Sequence, residues 1–331
     1  MAKVPSFFFV SVPASSCFKT KLQPRFICMV GKGAEAMRDA LQALLEKRIK
    51  EFVADKAGRL MDEKDERKIQ ACADRNAEIV KTYARGKILR QQFNGERQAV
   101  IYEVHFQHLI KQKEHLYLEE EVEVREASFL RGILEEDGEV VPDLLEAAFS
   151  GDLSVLELDG GVRSSYVYDR RKAVQYAERW WNSHNPAFRK FDVDCTNYIS
   201  QCLYAGGAPM RGYPNRGQGW WMRGQNYSYS WAVANSLRWY LAGSKAGLKA
   251  REVGSPDELI PGDVICYDFQ GDGRFDHNTI VVAKDGYGMP LVNAHTYNSR
   301  MRYWEYTDSS AYTPKIKYKF YSIVDDNREW L

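Results

Sequence analysis

The sequence predicts an α+β protein of two domains: a helix-then-hairpin domain, followed by one in which a cysteine-bearing helix packs on an antiparallel sheet. Apolar residues recur at a helical period near the start and switch to a period of two around residue 100. Helix and strand patterns then return together beyond a Gly- and Ser-containing stretch near residue 160. A length of 331 residues also exceeds what one hydrophobic core usually organises.

Residues 1–33 read as a disordered leader. Lys3 precedes a short apolar run, Phe7 to Val12, and then Pro13-Ala14-Ser15-Ser16-Cys17. The run is short and weakly basic for a signal peptide, with a lipoprotein-type cleavage before Cys17 as the exported alternative. No run reaches the length of a transmembrane helix, so the chain reads as soluble, cytoplasmic or exported.

Residues 34–156 read as the first domain, of unknown role. Met37, Leu41, Leu44, Leu45, Ile49, Phe52 and Val53 fall near a 3.6 period, which predicts an amphipathic helix. A second helical stretch is expected over 66–92, from Ile69, Val80, Tyr83 and Leu89. Val100, Tyr102, Val104, Phe106, His108 and Ile110 then share one face of a strand. After the polar turn Lys111-Gln112-Lys113-Glu114, the residues Leu116, Leu118, Val122 and Val124 read as the buried face of the returning strand. On that reading Glu119-Glu120-Glu121 is solvated. His105, His108 and His115 read as solvated or edge-of-core histidines, with no further ligands at metal-binding spacing.

Residues 157–167, with Asp159-Gly160-Gly161 and Ser164-Ser165, read as a linker, and 168–325 as the second domain. Its first helix buries Ala173, Val174, Tyr176, Ala177, Trp180 and Trp181 and stops before Asn185-Pro186. Tryptophans concentrate in this half. Trp220, Trp221 and Trp231 could line a substrate cleft, and core packing accounts for them equally well.

Forty-six basic and 45 acidic residues leave a net charge of +1, which removes the broad electrostatic case for a nucleic-acid partner. The six cysteines show neither a disulfide framework nor a CxxC pair, so no metal and no cofactor is expected.

The segment Asp192-Val193-Asp194-Cys195-Thr196-Asn197-Tyr198-Ile199-Ser200-Gln201-Cys202 carries the chemistry. Asp192 or Asp194 can cap a helix that Gly206-Gly207 ends, which puts Cys195 in the first turn. Unpaired amides and the helix dipole stabilise a thiolate there. The same residues also fit a buried face, since Cys195, Ile199 and Cys202 align along the helix. His277 begins a strand of β-branched residues and is the candidate base, with a satisfied strand-end histidine as the alternative. Asn293 and His295, two apart on the next strand, share a face, and either could orient the imidazole of His277. Asp268, Asp272 and Asp276 read as a polar hairpin turn, without the ligands of a calcium loop.

Four blocks in order resemble the bacterial family called "putative amidase domain": Asp194-Cys195-Thr196-Asn197-Tyr198-Ile199-Ser200-Gln201-Cys202-Leu203, Pro261-Gly262-Asp263-Val264, Asp276-His277-Asn278-Thr279-Ile280-Val281-Val282 and Asn293-Ala294-His295-Thr296. That family is similar to the NlpC-type cell-wall peptidases with a papain-like core. The resemblance covers roughly 165–325. It implies Cys195 as nucleophile, His277 as base, His295 as the third polar residue, and a peptide or peptidoglycan-like amide as substrate. The segment between Cys195 and His277 is longer than in compact NlpC-type domains. Three alternatives accompany this expectation: a non-catalytic binding module, a transglutaminase-like acyl transferase, and a metal protein using Cys195, His277 and His295 as ligands.

Overall fold

The computed structural model describes residues 7–13, 32–53, 62–140 and 166–325. The chain divides into two compact units, Met1–Pro142 and Asp143–Leu331. The domain boundary expected at 156 and most of the linker 157–167 fall outside the described residues.

The first unit contains β1 (Phe7–Pro13), α1 (Lys32–Val53), α2 (Glu63–Asp74), β2 (Glu78–Asn94), β3 (Arg97–Gln112), β4 (His115–Leu130) and β5 (Ile133–Glu139). Its strands pair antiparallel in the order β1-β2-β3-β4-β5. Residues 7–13, expected in a disordered leader, therefore form a strand on β2. Met37, Leu41, Leu45, Ile49 and Phe52 of α1 form one core with Val100, Tyr102, Val104, Phe106 and Ile110 of β3. Each such side chain stabilises the unit by about 1.5–3 kcal/mol.

Two further expectations fail here, both for readable reasons. The helix over 66–92 ends at Asp74, and β2 takes its place. The inward positions of β2 are Ile79, Thr82, Ala84 and Gly86, while Tyr83 and Leu89 point outward, so small residues conceal the period of two. In β4 the buried face is the odd one: Glu119, Glu121, Glu123, Arg125, Ala127 and Phe129. The acidic run is therefore buried and paired rather than solvated. Arg48 lies 2.7 Å from Asp65 and 3.3 Å from Glu123. Glu123 also meets Lys64 at 2.8 Å and Arg125 at 3.0 Å, and Lys68 pairs with Glu119. Burial opposes the charge on Glu123, but Lys64 and Arg48 outweigh it and hold the carboxyl well below its ordinary range. His108 is buried, with Nδ1 3.0 Å from Thr82 Oγ1 and its ring against Phe52 and Phe106.

The second unit contains α3 (Arg170–Trp180), α4 (Cys195–Ala205), β6 (Met222–Arg223), β7 (Asn226–Tyr227), α5 (Tyr229–Ala232), α6 (Ala234–Gly243), β8 (Lys249–Val253), β9 (Val264–Asp268), β10 (His277–Lys284), β11 (Pro290–Ala294), β12 (Ser299–Tyr303) and β13 (Lys317–Val324). The last six strands form an antiparallel array, β12-β11-β10-β9-β13-β8. One face packs Val264, Cys266, Ile280, Val282, Tyr321 and Ile323 against α3, α4 and α6. The other carries Ile265, Tyr267, Val281, Val292 and Tyr306. The α+β class expected from sequence is thus the class observed.

The Gly262-Asp263 turn anchors the sheet. The Asp263 carboxylate accepts from Ile260 N and Ile323 N, each at 2.8 Å, and from Arg170 at 2.6 Å.

Candidate active site

Asp194 is the N-cap of α4, which places Cys195 in the first helical turn. Its side chain braces the preceding loop rather than capping. Oδ1 accepts from Phe191 N at 3.2 Å and from Asn197 Nδ2 at 2.8 Å. The Asp194 and Cys195 amides donate to Thr296 Oγ1 at 3.1 and 3.2 Å. Thr296 holds this position at φ +79°, a left-handed conformation unusual for a β-branched residue and costing about 1–3 kcal/mol.

The thiol of Cys195 is 3.7 Å from Thr196 Oγ1, and hydrogen bonding from Thr196 and the Asn278 backbone favours its thiolate. Burial raises its pKa, against the opposing pull of those bonds. Cys195 opens onto a cleft of about 220 Å³ lined also by Phe191, Tyr227, Tyr229, Asn235, Phe275 and Asp276. Burial first, then repulsion from Asp268 and Asp272, raises the Asp276 carboxyl to about 6, so it titrates near neutrality. Asp268 caps its own turn, accepting from Gly271, Asp272 and Gly273 amides, as expected of a polar hairpin turn.

His277 does not meet Cys195. In β10 the side chain of Asn278 reaches Thr196 Oγ1 at 3.0 Å on the α4 face, so alternation turns His277 to the opposite face. There its ring lies among Tyr306, Tyr267 and Phe269, at 5.4, 5.8 and 6.1 Å between centroids. Burial, with help from the Arg302 charge, lowers its pKa from 6.5 to about 3, and its Nε2 has no hydrogen-bond partner. The dyad expected from sequence is thus displaced by one residue of strand parity.

His295 does not orient His277 either. It lies on the α4 face, with Nδ1 2.9 Å from Asp194 Oδ2, Nε2 2.7 Å from the Trp180 carbonyl, and its ring stacked on Tyr198 at 3.9 Å. Asn293 is engaged by Glu178 and Met301 N. Trp220, Trp221 and Trp231 are core residues rather than cleft residues. Their indole N–H groups donate to Ser200 Oγ, to the Asn215 and Gln218 carbonyls, and to Asn197 Oδ1. Tyrosines and phenylalanines line the cleft in their place. Sequence reasoning missed His184, 3.4 Å from Asp194 Oδ2. It sits beyond α3 with no local motif to mark it.

The site is thus a cysteine at a helix N-terminus, facing a cleft beside an antiparallel sheet. Residues 167–321 match the family model described as "Putative amidase domain", a likeness to amide hydrolases in general. The chain belongs to the same family as YhbB, an uncharacterized protein of Bacillus subtilis (strain 168), with 50% identity over 270 residues, 79% of this chain and 86% of YhbB. YjcM, an uncharacterized protein of the same organism, is 28% identical over 140 residues, 40% of this chain and 31% of its own length. No solved structure matches the chain. No helix among the described residues is long and apolar enough to cross a membrane.

Proposed function

We propose that the second unit is a cysteine-dependent amide hydrolase with a papain-like core, in which Cys195 is the nucleophile. The observation that carries this is the placing of the Cys195 thiol at the first turn of α4, on a cleft and 3.7 Å from Thr196 Oγ1. Asp192 and Asp276 both line the cleft, and Asp276, whose carboxyl is raised to about 6, is the base in this reading. It takes the thiol proton as sulfur attacks the amide carbonyl. It returns that proton to the amine as the C–N bond breaks, leaving a thioester that water cleaves. The mixed lining of Tyr227, Tyr229, Phe191, Arg274 and Asp276 suits a short peptide with charged groups, and a cell-wall peptide is the substrate to try first.

A second reading keeps His277 as the base. Its favouring observation is the unpartnered Nε2, buried one residue from Asn278, so that a one-residue shift at the start of β10 would exchange the two side chains. Site-mapped iodoacetamide labelling and peptide-amide turnover of Cys195→Ala, Asp276→Asn and His277→Ala decide between them. Loss of turnover in Cys195→Ala is expected on both readings. Loss in Asp276→Asn with activity kept in His277→Ala supports the first, and the reverse supports the second. Full turnover in Cys195→Ala overturns the cysteine mechanism.

A further inference from the structure

We propose that His184, Asp194 and His295 form a binding site for a divalent transition-metal ion, zinc above others. Each offers one ligand atom, and these atoms lie within 4.8 Å of one another. Asp194 Oδ2 is 2.9 Å from His295 Nδ1 and 3.4 Å from His184 Nδ1. Ligands at about 2.0–2.2 Å from a tetrahedral ion stand roughly 3.3–3.5 Å apart, so small side-chain shifts open the set to an ion.

The bonding of His295 points the same way independently. Its Nε2 faces the Trp180 carbonyl at 2.7 Å, and a carbonyl only accepts, so that nitrogen carries a proton. Its Nδ1 is the nitrogen turned to Asp194 Oδ2, towards the other two ligand atoms. A backbone carbonyl gripping the far nitrogen is also how ligating histidines are held in tautomer and orientation. Asp194 is arranged to match. Its Oδ1 is taken by Phe191 N and Asn197 Nδ2, while Oδ2 is turned to both imidazoles.

His295 and Asp194 are buried, and His184 is about a third exposed, at 34% of its side chain. The exposed flank gives the ion a way in and leaves a fourth position for water. Two imidazoles with one carboxylate suit zinc or cobalt, and calcium would want oxygen throughout. The three ligands come from the loop after α3, the N-cap of α4 and the end of β11. A bound ion would join these segments beside Cys195 without using its sulfur, so binding needs no reactivity at Cys195.

The test is zinc titration of the metal-stripped full-length chain against a chromophoric chelator, with stoichiometry from elemental analysis. Expected are one zinc per chain, affinity lowered more than about tenfold in His184→Ala, and no change in Cys195→Ala. Because His184 is the exposed ligand, its removal tests the site with the least risk to folding. Cobalt loading of the unaltered chain adds a check that needs no variant: visible d–d bands without a thiolate charge-transfer band. Substoichiometric zinc, affinity unchanged in His184→Ala, or a thiolate band in the cobalt form would each overturn the site.

Discussion

Replacing His277 with phenylalanine should change the acid response of the second unit by an amount its burial sets. The native imidazole titrates at about 3 and the unfolded one near 6.5. Below about pH 6.5 the unfolded chain takes up a proton that the native chain refuses, so stability present at neutral pH is lost as pH falls towards 3. Each pH unit in that window costs about 1.4 kcal/mol, which makes roughly 2.7 kcal/mol between pH 6.5 and pH 4.5. His277→Phe removes this loss and places an apolar ring among Tyr306, Tyr267 and Phe269. All eight tryptophans lie at or beyond Trp180, so urea unfolding followed by their fluorescence reports the second unit. The stability difference between variant and wild type should move in favour of the variant by about 2–3 kcal/mol on going from neutral pH to about pH 4.5. Other carboxylates titrate in both proteins and cancel. A difference that stays constant with pH would refute the reasoning, because it would mean that native His277 accepts a proton freely and is not buried on that face.

If Asp276 is the base, turnover should rise as pH passes through about 6, and Asp276→Asn should flatten that limb in a pH–rate profile. Iodoacetamide should label Cys195 slowly at neutral pH and faster in alkali, since burial raises the thiol pKa; site-mapped mass spectrometry measures this. Glu123→Ala leaves Arg48, Lys64 and Arg125 without a shared buried partner, and should destabilise the first unit by about 3–5 kcal/mol in denaturant unfolding followed by circular dichroism. Gly206→Ala should cost about 1–3 kcal/mol, because the added methyl runs into the Tyr168 ring at the end of α4; thermal unfolding tests it.

The elements legible in the sequence are those whose pattern is set by burial of large apolar groups. The alternation Val100, Tyr102, Val104, Phe106 is the inner face of β3, and the Asp194-to-Gly206 bounds are those of α4. Where burial uses other chemistry the reading fails. Thr82, Ala84 and Gly86 are too small to signal an inward face, and Glu119, Glu121 and Glu123 signal an outward one although cations neutralise them inside. At the candidate site, the sequence places Cys195 in the first turn of its helix and names the strand that faces it. It does not state which of two adjacent residues on that strand turns towards the helix, and Asn278 does so where His277 was expected. His184, Asp194 and His295 come together only in the fold, so no spacing announces them.

The charge lattice under β4 carries a consequence for how this unit can vary. Removing one member strands its partners in a medium that punishes lone charge. Replacing the whole group with apolar residues of similar volume is often neutral or stabilising. Arg48, Lys64, Asp65, Glu123, Arg125 and Asp137 are linked through shared partners. Among relatives these positions should therefore change in correlated sets, and a hybrid that mixes two such sets should fold worse than either parent.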